Sequence, residues 1–168
     1  MKRTFILAAI LISVCFAAFA QGPKADEKST NEVMGVAKEF ANALVNRDVK
    51  TAERVLDPDY ADYSRGLPTT RFLLLRMFKE WGPAIAQPTE ISFDENLTIV
   101  RIYDNTAVVT TKVNFKWLGK SGKDSRLGYM WPVADSNIIT LVAVKRSGAW
   151  RIVTTHASPW EVVVQEAK

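Results

Sequence analysis

Val33, Ala37, Phe40, Ala41 and Leu44 recur at three- and four-residue steps, the spacing of one helix face. Ser29 and Glu32 just before them have capping-box spacing, so the pattern predicts a first amphipathic helix over about residues 30–46. Asp48 is placed to cap a short second helix in which Val49, Ala52, Val55 and Leu56 face one way, and Pro58 stops it. Tyr60 to Ser64 reads as a short strand ending at Arg65-Gly66. Thr69 or Thr70 then caps a third helix through Phe72, Leu73, Leu75, Met77, Phe78 and Trp81. That helix is apolar on nearly every side, the mark of one that is buried or lines a pocket or subunit contact.

After Gly82-Pro83 and Pro88 the period changes to two. Ile91 and Phe93 alternate, then Leu97, Ile99 and Val100, then Val108, Val109, Val113, Phe115 and Trp117. Asp104-Asn105 separates the last two runs as a hairpin turn, and the broken alternation at Asp94-Glu95-Asn96 predicts a bulge. A longer loop, Gly119 to about Asn137, leads to a strand from Ile138 to Lys145. Ser147-Gly148 then turns the chain into a final strand from Trp150 to Ser158. Helices first and hairpin-joined strands afterwards predict an α+β domain, a curved antiparallel sheet wrapped around the three helices of the N-terminal half.

The N-terminus has a different pattern. Lys2 and Arg3 precede an apolar run from Phe5 to Phe16, and Ala18-Phe19-Ala20 matches an A-x-A cleavage site. The run is too short to span a bilayer, so residues 1–20 read as a signal peptide cut after Ala20, and the protein as periplasmic or secreted. Residues 21–28 are a flexible leader, 29–160 the folded domain and 161–168 a C-terminal tail. Composition agrees with a packed core: 48% of residues are hydrophobic and 24% charged. The one cysteine, Cys15, lies in the signal, which excludes disulfide and thiolate chemistry from the mature chain. Cleavage would remove Lys2 and Arg3 and no acid, lowering the net charge from +4 to about +2. No basic stripe with interleaved aromatics stands out, so nucleic acid is not an expected partner.

Several segments together carry a resemblance. They are the helix pair, Leu56-x-x-Asp59-Tyr60 leading into a strand, the capped third helix, the hairpin Tyr103-Asp104-Asn105-Thr106-Ala107-Val108-Val109, and the ending Gly148-Ala149-Trp150-Arg151-Ile152-Val153-x-x-His156-x-Ser158. Over about residues 30–160 the chain resembles the nuclear transport factor 2-like superfamily, and most of all a bacterial branch related to SnoaL-like polyketide cyclases and ketosteroid isomerase. The resemblance implies a cone-shaped fold with a pocket between the helices and the concave sheet face. It also implies an aspartate base in the first strand. The family's "Asp-aromatic-x-x-x-Asp" pattern puts Ser64 at that position, with Asp62 two residues away.

The candidate chemistry is therefore sparse. Tyr60, Asp62 and Ser64 share one face of the first strand, and Ala61 and Tyr63 share the other. His156, the only histidine, falls by alternation on the same face as Trp150, Ile152 and Thr154, which predicts that it points inward. Asp62 and His156 form a candidate acid/base pair for a cyclase, isomerase or dehydratase, with Tyr60 or Tyr63 orienting a carbonyl or hydroxyl. Trp81, Trp117, Tyr129 and Trp131 offer planar surfaces for a small hydrophobic ligand. The loop aromatics Tyr129 and Trp131 also suit a lid or subunit contact.

Gly119-Lys120-Ser121-Gly122-Lys123 lacks phosphate-loop spacing, and no His/Cys/carboxylate cluster has metal-ligand spacing, so neither a cofactor nor a metal is expected. Three functions stay open: an exported binding protein with an apolar cavity, an enzyme using Asp62 and His156, and a non-catalytic association module. A homodimer through the sheet is expected with the first.

Overall fold

The computed structural model describes residues 26–64, 68–80, 88–117 and 136–160. Helix α1 spans Glu27–Asn46 and starts earlier than the capping box predicts, because Asp26 is the N-cap and its Oδ1 accepts from Ser29 N at 2.9 Å. It stops at Arg47, whose left-handed backbone (φ 52°) lets its N–H reach Ala43 O. Asp48 caps α2, Val49–Val55, as expected, accepting from Thr51 N at 3.1 Å. Strand β1, Leu56–Asp62, begins directly after α2, four residues before the expected strand. The two-residue β2, Thr69–Thr70, leads into α3, Arg71–Glu80, where Leu73 N donates to Thr70 Oγ1.

The remaining strands are β3 (Pro88–Phe93), β4 (Ile99–Tyr103), β5 (Thr106–Trp117), β6 (Ser136–Arg146) and β7 (Ala149–Pro159). They form a curved, unclosed sheet in the order β2-β1-β7-β6-β5-β3, with β4 also pairing β5. The bulge expected at residues 94–96 is a 3-10 turn, Glu95–Leu97, that breaks one long edge into β3 and β4, both antiparallel to β5. The sheet is mixed, not wholly antiparallel, because β1 runs parallel to β7. The two strands are joined by a long connection, through α3 and strands β3 to β6, that lets β7 come alongside β1 in the same direction. Pro58 lies where the β1–β7 register is irregular, between Leu56↔Ile152 and Ala61↔Thr154, where a missing N–H interrupts no ladder.

One face of the sheet is covered. Val33, Ala37, Phe40 and Ala43 of α1 and Leu74, Leu75 and Met77 of α3 pack with Val109, Leu141, Trp150 and Ile152 in one core. The Phe40 and Tyr60 rings meet edge to face, with centroids 5.9 Å apart. A second cluster, Val113, Phe115, Ile139 and Ala157, continues the inner face toward the other end of the strands. Helix α3 is more one-sided than its sequence predicts: Phe72 is 74% and Leu73 41% exposed.

Strand β7 changes phase partway along. Its pairing with β6 runs Lys145↔Trp150 and Ala143↔Ile152, then shifts to Val142↔Thr154 and Leu141↔Thr155. Val153 is the extra residue, a bulge that exchanges the two faces beyond it. Trp150 and Ile152 are buried before it, and Thr155 and Ala157 after it.

Candidate functional site

The bulge decides which candidate residues meet. It turns Thr155 inward and His156 outward, so the inward placement read from uninterrupted alternation does not hold: His156 is exposed. Asp62 points the other way, 1% exposed, in parallel register with Thr155. The structure does not bring the two members of the proposed acid/base pair together on one face.

Around Asp62 it builds a closed polar network. Thr155 Oγ1 donates to Asp62 Oδ2. The threonine proton is thereby committed, so the Tyr60 hydroxyl, 2.8 Å from Thr155 Oγ1, is the donor in that contact. Ser64 donates twice, from its N to Asp62 Oδ1 at 3.1 Å and from its Oγ to Oδ2 at 2.9 Å. The same serine oxygen accepts from Ala157 N at 2.8 Å. Burial pushes the Asp62 carboxyl pKa upward, while the bonds from Thr155 and Ser64 and the charge of His156 pull it back. Burial, followed by the nearby Asp62 charge, raises the Tyr60 phenol as well.

These partners give Ser64 a role. Where the resemblance implies a carboxylate, this chain has a hydroxyl that ties β1 to β7 and supports the neighbouring carboxylate. Sequence reasoning missed Thr155, the residue joining Tyr60 to Asp62. Its inward position depends on the bulge at Val153, which no turn residue marks.

Tyr63 and His156 are both exposed. Tyr63 follows Asp62 as His156 follows Thr155, and it is 53% exposed, with its N–H on Thr155 O at 3.2 Å. His156 Nε2 lies 3.3 Å from Ser158 Oγ. Trp117 ends β5, its backbone paired with Pro88. Trp81, Tyr129 and Trp131 lie outside the described residues, as do the signal segment and the 161–168 tail. A groove of about 370 Å³ opens between α1 and the β6–β7 turn, lined by Gly35, Val36, Glu39, Arg54, Trp150 and Arg151 among others, away from Asp62. Among the described residues no His, Cys, Asp and Glu cluster could hold a metal, and no helix is long and apolar enough to cross a membrane.

No protein-family model matches the chain, and no curated protein matches it in sequence. Solved structures do share its fold. A nuclear transport factor 2-like superfamily protein from Salmonella enterica is 16% identical, with a TM-score of 0.63 over 86% of this chain and 100% of its own. A nuclear transport factor 2-like protein from Cytophaga hutchinsonii is 17% identical, with a TM-score of 0.62 over 81% and 100%. A putative calcium/calmodulin-dependent kinase II association domain from Exiguobacterium sibiricum is 14% identical, with a TM-score of 0.60 over 84% and 99%. At these identities the likeness establishes architecture: the chain has the α+β nuclear transport factor 2-like fold. It does not reach down to the polyketide cyclase or ketosteroid isomerase branch.

Proposed function

We propose that the chain is an exported, non-catalytic binding module that holds a small apolar ligand against the inner sheet face and pairs with a second copy through the outer one. The observation that carries this reading is the split at Val153. A general base needs a reachable lone pair and a partner poised on the same reacting atom. Asp62 is instead buried and bonded by its own chain, and His156 is on the opposite face. The inner face next to the network carries Val113, Phe115, Ile139 and Ala157 beside the buried Asn137, and its apolar side chains suit a hydrophobic ligand. Trp81, Trp117, Tyr129 and Trp131 are the side chains we assign to close around it.

Support for self-association comes from the uncovered face. From β4 to β7 its rows read Arg101, Val108, Val142, Thr154 and then Ile99, Thr110, Thr140, His156. β-branched Val108, Thr110, Thr140, Val142 and Thr154 form its centre, with Ile99 at one edge, a regular surface against which a second sheet can pack. The similar fold of a putative association domain is consistent with this use. Export rests on Lys2, Arg3, the Phe5 to Phe16 run and the Ala18-Phe19-Ala20 site.

Native mass spectrometry of the protein purified from its own host tests all three parts. The expected result is a dimer of chains beginning at Gln21, carrying a co-purifying hydrophobic species. An unprocessed chain would sink export, a monomer would sink self-association, and an empty protein that takes up no apolar probe would sink ligand binding.

A further inference from the structure

Among the described residues the sheet has two free edges, and they are guarded unequally. At one, β2 is two residues long. At the other, β3 begins at Pro88, which has no N–H, carries Glu90 ion-paired to Lys116 at 2.6 Å, and gives way to the 3-10 turn. Short strands, prolines, charges and irregular turns are the devices that keep a strand edge from pairing. Strand β4 continues that second edge with a single charge, Arg101, among four residues that are β-branched or aromatic, and among the described residues it pairs with β5 alone.

The register shows which backbone groups β4 leaves open. Lys145 N donates to Asn105 O at 2.7 Å, and Asp94 N donates to Lys112 O at 2.9 Å. Odd-numbered residues of β5 therefore bond to β6, and even-numbered ones to the side of β3 and β4. Thr106, Val108 and Thr110 take Tyr103, Arg101 and Ile99 as their partners, which leaves the N–H and C=O groups of Val100 and Ile102 directed away from the sheet. The side chains of these two residues pack against the core. Those of Ile99 and Tyr103 are half-exposed on the other face, and Arg101 is exposed between them without an ion-pair partner among the described residues.

We propose that β4 is a docking edge for an extended peptide segment that carries a carboxylate between two apolar residues at alternate positions. The proposal goes beyond the ligand and dimer readings and depends on neither, because the docking groups lie in the plane of the sheet, past its last strand. An antiparallel segment exchanges both main-chain hydrogen bonds with each of Val100 and Ile102. Arg101 then stands in a non-hydrogen-bonded pair, where facing side chains come closest, so a carboxylate opposite it is the selective contact. Apolar residues two positions to either side cover Ile99 and Tyr103. A second copy of the chain fits this edge less well. The antiparallel register that pairs both Val100 and Ile102 sets the two Arg101 side chains against each other. The neighbouring registers place Ile102 opposite Thr98, the C-cap of the 3-10 turn, or Val100 opposite Asp104 in the hairpin turn.

The test is an NMR titration of isotope-labelled protein, purified after expression of the full chain, with the capped peptide Thr-Val-Thr-Glu-Thr-Val-Thr and with the same peptide carrying Lys in place of Glu. We expect the glutamate peptide to shift the Val100 and Ile102 amides and to slow their hydrogen exchange, and the lysine peptide to bind about fivefold more weakly. Arg101→Glu, a change at an exposed position, should reverse that preference. Absence of any shift at Val100 and Ile102 up to about 5 mM peptide overturns the docking edge. Equal binding of the two peptides, or a preference that survives Arg101→Glu, overturns the carboxylate contact. If the two amides instead broaden with protein concentration in the absence of peptide, a second copy takes the edge and the proposal fails.

Discussion

Each end of β7 is tied to another element through a carboxylate, and the two ties differ in kind. At the first end, Glu32 of α1 accepts from Lys145 Nζ at 2.9 Å and from Trp150 Nε1 at 3.2 Å, with the ammonium 5.4 Å from the Trp150 ring centroid. At the other, Asp62 of β1 accepts only from hydroxyls and a backbone N–H. Hydrogen bonding to Lys145 lowers the Glu32 pKa, whereas burial raises that of Asp62. Three donors without a full positive charge do not offset the loss of water around a buried carboxylate. The first tie stabilises a charge, and the second chiefly fixes the position of β1 on β7.

The carboxylate of the second tie offers the largest way to break it. Asp62→Ala leaves the Thr155 hydroxyl and both Ser64 donors without their acceptor. Urea unfolding should show a loss of about 3 kcal/mol, and a loss under about 1 kcal/mol would mean that water or rearrangement replaces the carboxylate. Deleting Val153 should cost less. It removes the extra residue and leaves Val142 opposite Thr154 and Leu141 opposite Thr155, so Thr155 and Ala157 stay inward. The variant should keep its near-UV circular dichroism and its cooperative urea transition, and loss of both would show that the bulge itself holds this end together.

Most of the architecture can be read from the chain because its elements are set locally. Asp48 caps α2, Thr70 helps start α3, and the turns at Asp104 and at Ser147-Gly148 adopt the positive φ angles that tight hairpins need. The parallel placement of β1 beside β7 is not local, since it joins segments about ninety residues apart through one helix and most of the sheet, none of whose local signals says which strand β1 will meet. The candidate site was legible only in part. Tyr60 and Asp62 share the inner face as period two requires. His156 was misplaced because Val153 looks like any strand valine, and a bulge without glycine or proline leaves alternation formally intact. The same hidden residue put Thr155, rather than Thr154, into the Asp62 network.

The smallest predicted effect is the most discriminating about the two carboxylates, because their opposite shifts act in different pH windows. Asp62 has a folded pKa above its unfolded value of about 3.9, so the native state binds its proton more tightly. Its charge costs stability above the folded pKa, and the cost fades as pH falls through that value toward 3.9. Glu32 has a folded pKa below its unfolded value of about 4.3. Its contribution is present above that value and is lost as pH falls below it. Urea unfolding of wild type, Asp62→Asn and Glu32→Gln at pH 7, 4.5 and 3 reads both. Between pH 7 and 4.5 wild type should gain on Asp62→Asn while its margin over Glu32→Gln stays level; between pH 4.5 and 3 that margin should shrink. Raising the salt should reduce the Glu32 margin further, because that ion pair is partly open to solvent, and should leave the buried Asp62 difference in place. If wild type instead gained on Glu32→Gln in acid, or if the Asp62→Asn difference were flat from pH 7 to 4.5, the contrast between a charge-stabilising tie and a position-fixing one would be wrong at that residue.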